Sequence, residues 1–90
     1  MREASALLTE CKRVLAARHK QYGEALPVHQ RMGALMGPQL GIEITAEQAA
    51  LAMVQLKMAR IAGGIKNKKV LKDTIIDAVN YLVISWECKE

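Results

Sequence analysis

Between Thr45 and Ala62 the apolar residues do not keep to one side of the chain. Laid out at 100° per residue, Leu51, Val54, Met58 and Ile61 form one apolar face. Ala49, Ala52 and Ala59 form a second face of small side chains that permits close helix approach. A helix that is apolar on two faces must bury both, inside a bundle or at a subunit interface. Lys57 and Arg60 make a narrow polar stripe between them. Thr45-x-x-Gln48 reads as a capping box at the start, and Gly63-Gly64 reads as the stop. An all-α architecture follows from this segment and its neighbours.

Three further helical segments share the 3.6-residue period. The first spans about Glu3 to Tyr22 and stops near Gly23. Leu7, Leu8, Cys11, Val14, Leu15, Arg18 and Tyr22 share its stripe, with Arg18 the exception in an apolar series. The second lies between Pro27 and Gln39. Pro27 suits a first helical turn, Gly37-Pro38 reads as a break, and Gly33 weakens the element. The fourth runs from about Asn67 to Trp86. Leu71, Ile75, Ile76, Val79, Leu82, Val83 and Trp86 form its stripe, while Asp73, Asp77 and Asn80 are neighbours on another face. The expected fold is a compact antiparallel bundle of about four helices, one domain over residues 1–90.

Composition sets limits on this bundle. Apolar residues make up 51% of the chain and aromatic ones only 3%, with no Phe. The core must therefore come from Leu, Ile, Val, Ala and Met. A chain this short buries only about 60–65% of its unfolded surface alone, so a dimer or tetramer is expected. The formal charge of +4 is mildly basic. It suits an anionic partner, but no basic run is interleaved with aromatics, which argues against DNA or RNA. Cys11 and Cys88 belong to no CxxC pair. Neither a signal peptide nor a membrane-length apolar run is visible, and a cytoplasmic location is the expectation.

Several charged groups can carry chemistry. Arg18, on an apolar stripe, either covers the core edge with its stem or makes an internal ion pair or a phosphate contact, with Tyr22 beside it. Lys57 and Arg60 are either a solvated seam or a positive stripe facing Asp73 and Asp77 or a bound anion. The cluster Lys66, Lys68, Lys69 and Lys72 reads as a solvated loop. Asp73 and Asp77, at i and i+4, could hold Mg²⁺. A catalytic site needs more carboxylates from another helix, and the third segment offers only Glu47, near its start. The apparatus for metal-assisted hydrolysis is thus incomplete, whereas phosphate-binding groups are plentiful. Neither a GxSxG elbow nor a phosphate loop is present.

Arg18-x-x-x-Tyr22-Gly23, Ile44-Thr45-Ala46-Glu47, Leu56-Lys57-Met58-Ala59-Arg60 and Asp73-x-x-x-Asp77 with Tyr81 resemble a group of small phage-encoded helical proteins. That group is similar to the all-α, MazG-like nucleoside triphosphate pyrophosphohydrolases. The resemblance covers roughly Arg18 to Glu87. It implies the fold and a nucleotide-sized pocket. MazG-like enzymes hold Mg²⁺ between an ExxE on one helix and an ExxD or DxxxD on the next. Here Asp73 and Asp77 match the second motif, and Lys57-x-x-Arg60 stands where the first is expected. Two bases in place of two acids would repel a metal and attract phosphate. By analogy with phage sponges of cyclic nucleotide defence signals, the expectation is a non-catalytic, anti-CBASS-type nucleotide binder without cofactor. Arg18, Lys57 and Arg60 would hold phosphates, and Lys66, Lys68 and Lys69 would close from the loop. Tyr22 would meet a base, and Asp73 and Asp77 would orient the cations. The alternatives are a Mg²⁺-dependent pyrophosphohydrolase using Asp73, Asp77 and Glu47, and a structural or protein-binding helical module.

Overall fold

A computed structural model describes residues 2–89 and contains four helices and no strand among them. They are α1 (Arg2–Tyr22), α2 (Ala25–Leu40), α3 (Ala46–Ala62) and α4 (Lys68–Glu87). Their ends follow local chemistry. At the foot of α3 the Thr45 hydroxyl accepts from the Gln48 N–H, and the Gln48 amide accepts from the Thr45 N–H. The Asn67 side chain accepts from the Lys69 and Val70 N–H groups at the start of α4. Each cap satisfies two amides that helix geometry leaves unpaired. Gly23, at φ 83°, ends α1 in a left-handed turn and donates its N–H to the His19 carbonyl.

The second helix departs from the sequence expectation. It starts at Ala25 and continues through Gly37-Pro38 to Leu40. Pro38 lies in the last turn, so the ring removes only the donor to Ala34, an exposed residue whose carbonyl water can satisfy. The actual stop is Gly41, at φ 70°, whose N–H reaches the Gly37 carbonyl. Gly33 and Gly37 have a packing reason. A Cβ at Gly33 would overlap the Ile44 carbonyl oxygen, and one at Gly37 would lie 2.7 Å from that of Ile42. The segment after α2 folds back onto these two bare positions, and this sets the turn into α3.

Helices α3 and α4 form the most extensive pair, with α2 against α3 and α1 against α4. Their contact is made by small side chains. Ala46, Ala49 and Ala50 of α3 are buried, as are Thr74, Ala78 and Ser85 of α4. Thr74 and Ser85 donate to the Val70 and Leu82 carbonyls of their own helix. With their hydroxyls satisfied, they pack as small, nearly apolar groups. The expected small face of Ala49, Ala52 and Ala59 is therefore displaced, and Ala59 is exposed. The α1–α4 pair is held by the buried Asn80, whose amide donates to the Cys11 carbonyl at 3.0 Å, and by Lys72–Glu10 at 2.8 Å. Glu10 meets Lys72, Cys11 meets Asn80 and Arg18 meets Asp77, an order that neither rises nor falls along α4, so α1 crosses α4 and does not run alongside it as in an antiparallel hairpin.

The protomer leaves much apolar surface open. Leu51 and Met58 of α3 and Leu82, Val83 and Trp86 of α4 are exposed, although the sequence pattern assigned them to buried stripes. A compact 9.9 kDa monomer would show about 5,200 Å² to solvent; this one shows 6779 Å². Its radius of gyration, 14.1 Å, exceeds the roughly 12 Å of a compact domain this size. No helix of the described residues is long and apolar enough to cross a membrane. Both cysteines are buried, and burial pushes the Cys11 thiol above its ordinary pKa.

Candidate functional site

One carboxylate joins three helices. Asp77 of α4 receives the Arg18 guanidinium of α1 on Oδ1 at 2.9 Å and the Lys57 ammonium of α3 on Oδ2 at 3.4 Å. The helix period explains the meeting. Arg18 continues the α1 stripe that carries Cys11 and Val14 onto α4, and Lys57 continues the α3 series of buried Ala46 and Ala50 and half-buried Met53. The two cations differ in what they can still do. The Lys57 side chain is only 13% exposed and is committed to Asp77, itself 17% exposed. Arg18 is 47% exposed, so part of its five-donor fork remains open to solvent.

The other sequence candidates separate. Arg60 is exposed and makes no ion pair among the described residues, so it does not share the environment of Lys57. Lys66, Lys68 and Lys69 lie on and just before the first turn of α4, all exposed. Asp77 is eight residues beyond Lys69, about 12 Å along the helix, and these lysines do not close over it. Asp73 is exposed and lines, with Asp77, Arg18, Glu10 and Arg13, a hollow of about 360 Å³ between α1 and α4. Glu47 is ten residues from Lys57, about 15 Å along α3, too far to join Asp73 and Asp77 around one ion. Among the described residues no three His, Cys, Asp or Glu side chains gather as a metal site. Both oxygens of Asp77 already face cations, which compete with a divalent metal.

Arg18 also stands on the rim of a larger groove. About 1100 Å³ opens between the C-terminal part of α1, the start of α2 and the C-terminal half of α4. Tyr22 and Trp86 stand exposed at its edges, and Leu15, Val28 and Ile84 supply apolar wall. Lys12 and His19 add positive or polar groups beside Arg18, and Glu24 sits 3.2 Å from His19 across the α1–α2 turn. The rear wall is fixed by buried groups. His29 donates from Nδ1 to the Ala25 carbonyl at 2.8 Å. Its ring meets Tyr81 edge to face at 6.1 Å. Asn80 completes the wall through its bond to Cys11.

Of the residues singled out in the sequence, Arg18, Lys57 and Asp77 meet at the junction and Arg18 and Tyr22 line the groove, whose other walls the sequence did not indicate. Trp86 was assigned to the core because it continues an apolar stripe. His29 sits in a segment whose glycines obscure the period. Asn80 was legible only as a neighbour of Asp77 on one face, a signal that did not say which helix it would hold.

Comparison with known proteins comes down to one family. The profile described as "Domain of unknown function (DUF6378)" matches residues 6–89. No curated protein and no solved structure matches the chain.

Proposed function

For a chain that belongs to the DUF6378 family, we propose that it binds a phosphate-bearing ligand of nucleotide size and does not cleave it. The observation that carries this reading is the half-exposed Arg18 guanidinium, locked by Asp77 at the lip of a groove with aromatic edges. A guanidinium already oriented by one carboxylate loses little freedom when its free N–H groups meet a phosphate. Tyr22 or Trp86 offers a ring to a base, and the His29 and Tyr81 wall offers polar atoms to a base edge. A 1100 Å³ groove has room for a dinucleotide. Lys57 then acts as the second cation on Asp77 and helps to hold that carboxylate where it meets Arg18. Arg60, Lys66, Lys68 and Lys69 contribute only to the general positive field.

The finer reading is sequestration of a cyclic dinucleotide signal by a MazG-like, phage-type sponge of the anti-CBASS kind, acting in the host cytoplasm as a homo-oligomer. It rests on the resemblance of the Arg18, Lys57 and Asp77 motifs and on the size of the groove. Support for binding over hydrolysis comes from Asp77, whose oxygens are taken by Arg18 and Lys57 where a Mg²⁺ ligand would need them free.

Isothermal titration against cyclic dinucleotides and linear nucleotides, each with EDTA and with Mg²⁺, tests the proposal. Binding should survive EDTA. Tyr22→Ala should weaken it at least fivefold, as loss of about 1–3 kcal/mol of base stacking requires. Tyr22 is exposed and holds no part of the fold, so this variant separates ligand loss from unfolding. Absence of binding across the panel, or Mg²⁺-dependent release of pyrophosphate from a triphosphate, overturns the reading.

A further inference from the structure

Leu51 and Met58 of α3 and Leu82 and Trp86 of α4, part of the apolar surface that these helices leave uncovered, lie on one side of their hairpin. On α4, Lys72, Asp77 and Asn80 reach α1, Asp77 also reaches Lys57 of α3, and Tyr81 meets His29 of α2. Thr74, Ala78 and Ser85 are buried on the side toward α3. At 100° per residue, Leu71, Ile75, Val79, Leu82 and Trp86 fall opposite Asp77; the first three are half-buried there and the last two exposed. Leu82 is 54% and Trp86 75% exposed there. On α3, the same reasoning sets Leu51 and Met58 beyond the edge of the Ala46, Ala50 and Lys57 series, away from the α2 contact. The outer side of the α3–α4 hairpin is therefore a two-helix apolar face some four turns long.

The geometry points to a second copy of this chain as the occupant of that face, packed about a two-fold axis so that two hairpins make a four-helix layer. The exposed area supports a partner of this size. Each protomer shows roughly 1,600 Å² more than a compact monomer of its mass, by the area scaling already applied. That excess is spread over the whole protomer, the groove included; half of it from each copy would make about 1,600 Å², the size of a standard stable interface. The face is nearly free of charge along its middle, as a dimer core requires. Each end carries a lysine: Lys68, in the phase of Trp86, at the start of α4, and Lys89, whose ammonium lies 5.3 Å from the centre of the Trp86 ring, just beyond its finish. Trp86 is shared with the edge of the groove, whereas Leu51, Met58 and Leu82 do not line it, so assembly probed at those residues stands whether or not the groove binds nucleotides.

The test is sedimentation velocity on the intact chain, with the fluorescence of Trp86, the sole tryptophan, followed through dilution. The wild type should sediment at about 20 kDa or an even multiple of 9.9 kDa. Its emission should shift to the red on dilution as Trp86 becomes wet. Leu82→Asp should lower the apparent association constant at least a hundredfold while retaining its helical circular dichroism. Leu82 is largely exposed in the protomer, so the protomer loses little packing. Should Leu82→Asp unfold, Met58→Lys on the facing helix carries the same expectation. Leu35→Asp on α2, exposed but on another side, should leave the assembly intact. A wild type monomeric at all concentrations overturns the inference. So does an assembly that survives both Leu82→Asp and Met58→Lys, or one broken by Leu35→Asp alone.

Discussion

Asp77→Asn keeps the shape of the side chain at the three-helix junction and removes its charge. The Lys57 ammonium, 3.4 Å away and 13% exposed, then has no counter-charge. At an effective permittivity near 20 the lost attraction is about 5 kcal/mol at that distance, an upper bound before solvation is counted. Losing one partner of a sealed pair costs about 3–5 kcal/mol. Neither side chain here is wholly sealed, and Lys57 can bend its stem toward water, so the expected loss is about 2–3 kcal/mol. For a domain of this size, a urea slope near 1 kcal/mol per molar turns this into a midpoint lower by about 2–3 M. Lys57→Met should cost under about 1 kcal/mol, because Asp77 keeps Arg18 at 2.9 Å and the stem is replaced by an apolar one. Combined with Lys57→Met, the Asp77→Asn change should cost at least about 1 kcal/mol less than it does alone, the signature of direct coupling. All chains are compared at one protein concentration, since assembly shifts apparent stability. A midpoint within about 0.5 M of wild type for Asp77→Asn, or strict additivity in the double variant, would refute the claim that Lys57 depends on Asp77.

Gly33→Ala should destabilise by about 1–3 kcal/mol, since its Cβ meets the Ile44 carbonyl and backbone cannot yield cheaply. Gly63→Ala, helical and with 3.4 Å to the nearest atom, should be neutral or stabilising by up to about 1 kcal/mol; thermal melts of both compare the two directly. The hydrogen bond from Lys72 holds the Glu10 carboxyl below its ordinary value of 4.5, and Glu10 holds Lys72 above 10.5. A lowered acid stabilises above its unfolded pKa and loses this as pH falls through the folded one. A raised base stabilises below its unfolded pKa and loses this as pH rises through the folded one. Tm should therefore fall more steeply for wild type than for Glu10→Gln both below about pH 4.5 and above about pH 10.5. Parallel curves would show that the pair contributes nothing.

The helices and most of their ends were written locally. Thr45 with Gln48, Asn67, Gly23 and Gly63 act through bonds to residues at most four positions away, so reading the chain in order suffices to place them. The period also drew Arg18, Lys57 and Asp77 out as misfits on or beside apolar faces. Two matters lay beyond it. Whether Gly37-Pro38 ends a helix depends on the segment at Ile42 and Ile44 folding back across Gly33 and Gly37, a contact that no local preference contains. Which apolar face becomes the core depends on which neighbour arrives. The small stripe of Thr74, Ala78 and Ser85 won the contact with α3 because short side chains let two backbones approach. The larger stripe of Leu82 and Trp86 was left facing outward. Periodicity states that a face must be covered; only the packed chain shows that three helices cannot also cover that one.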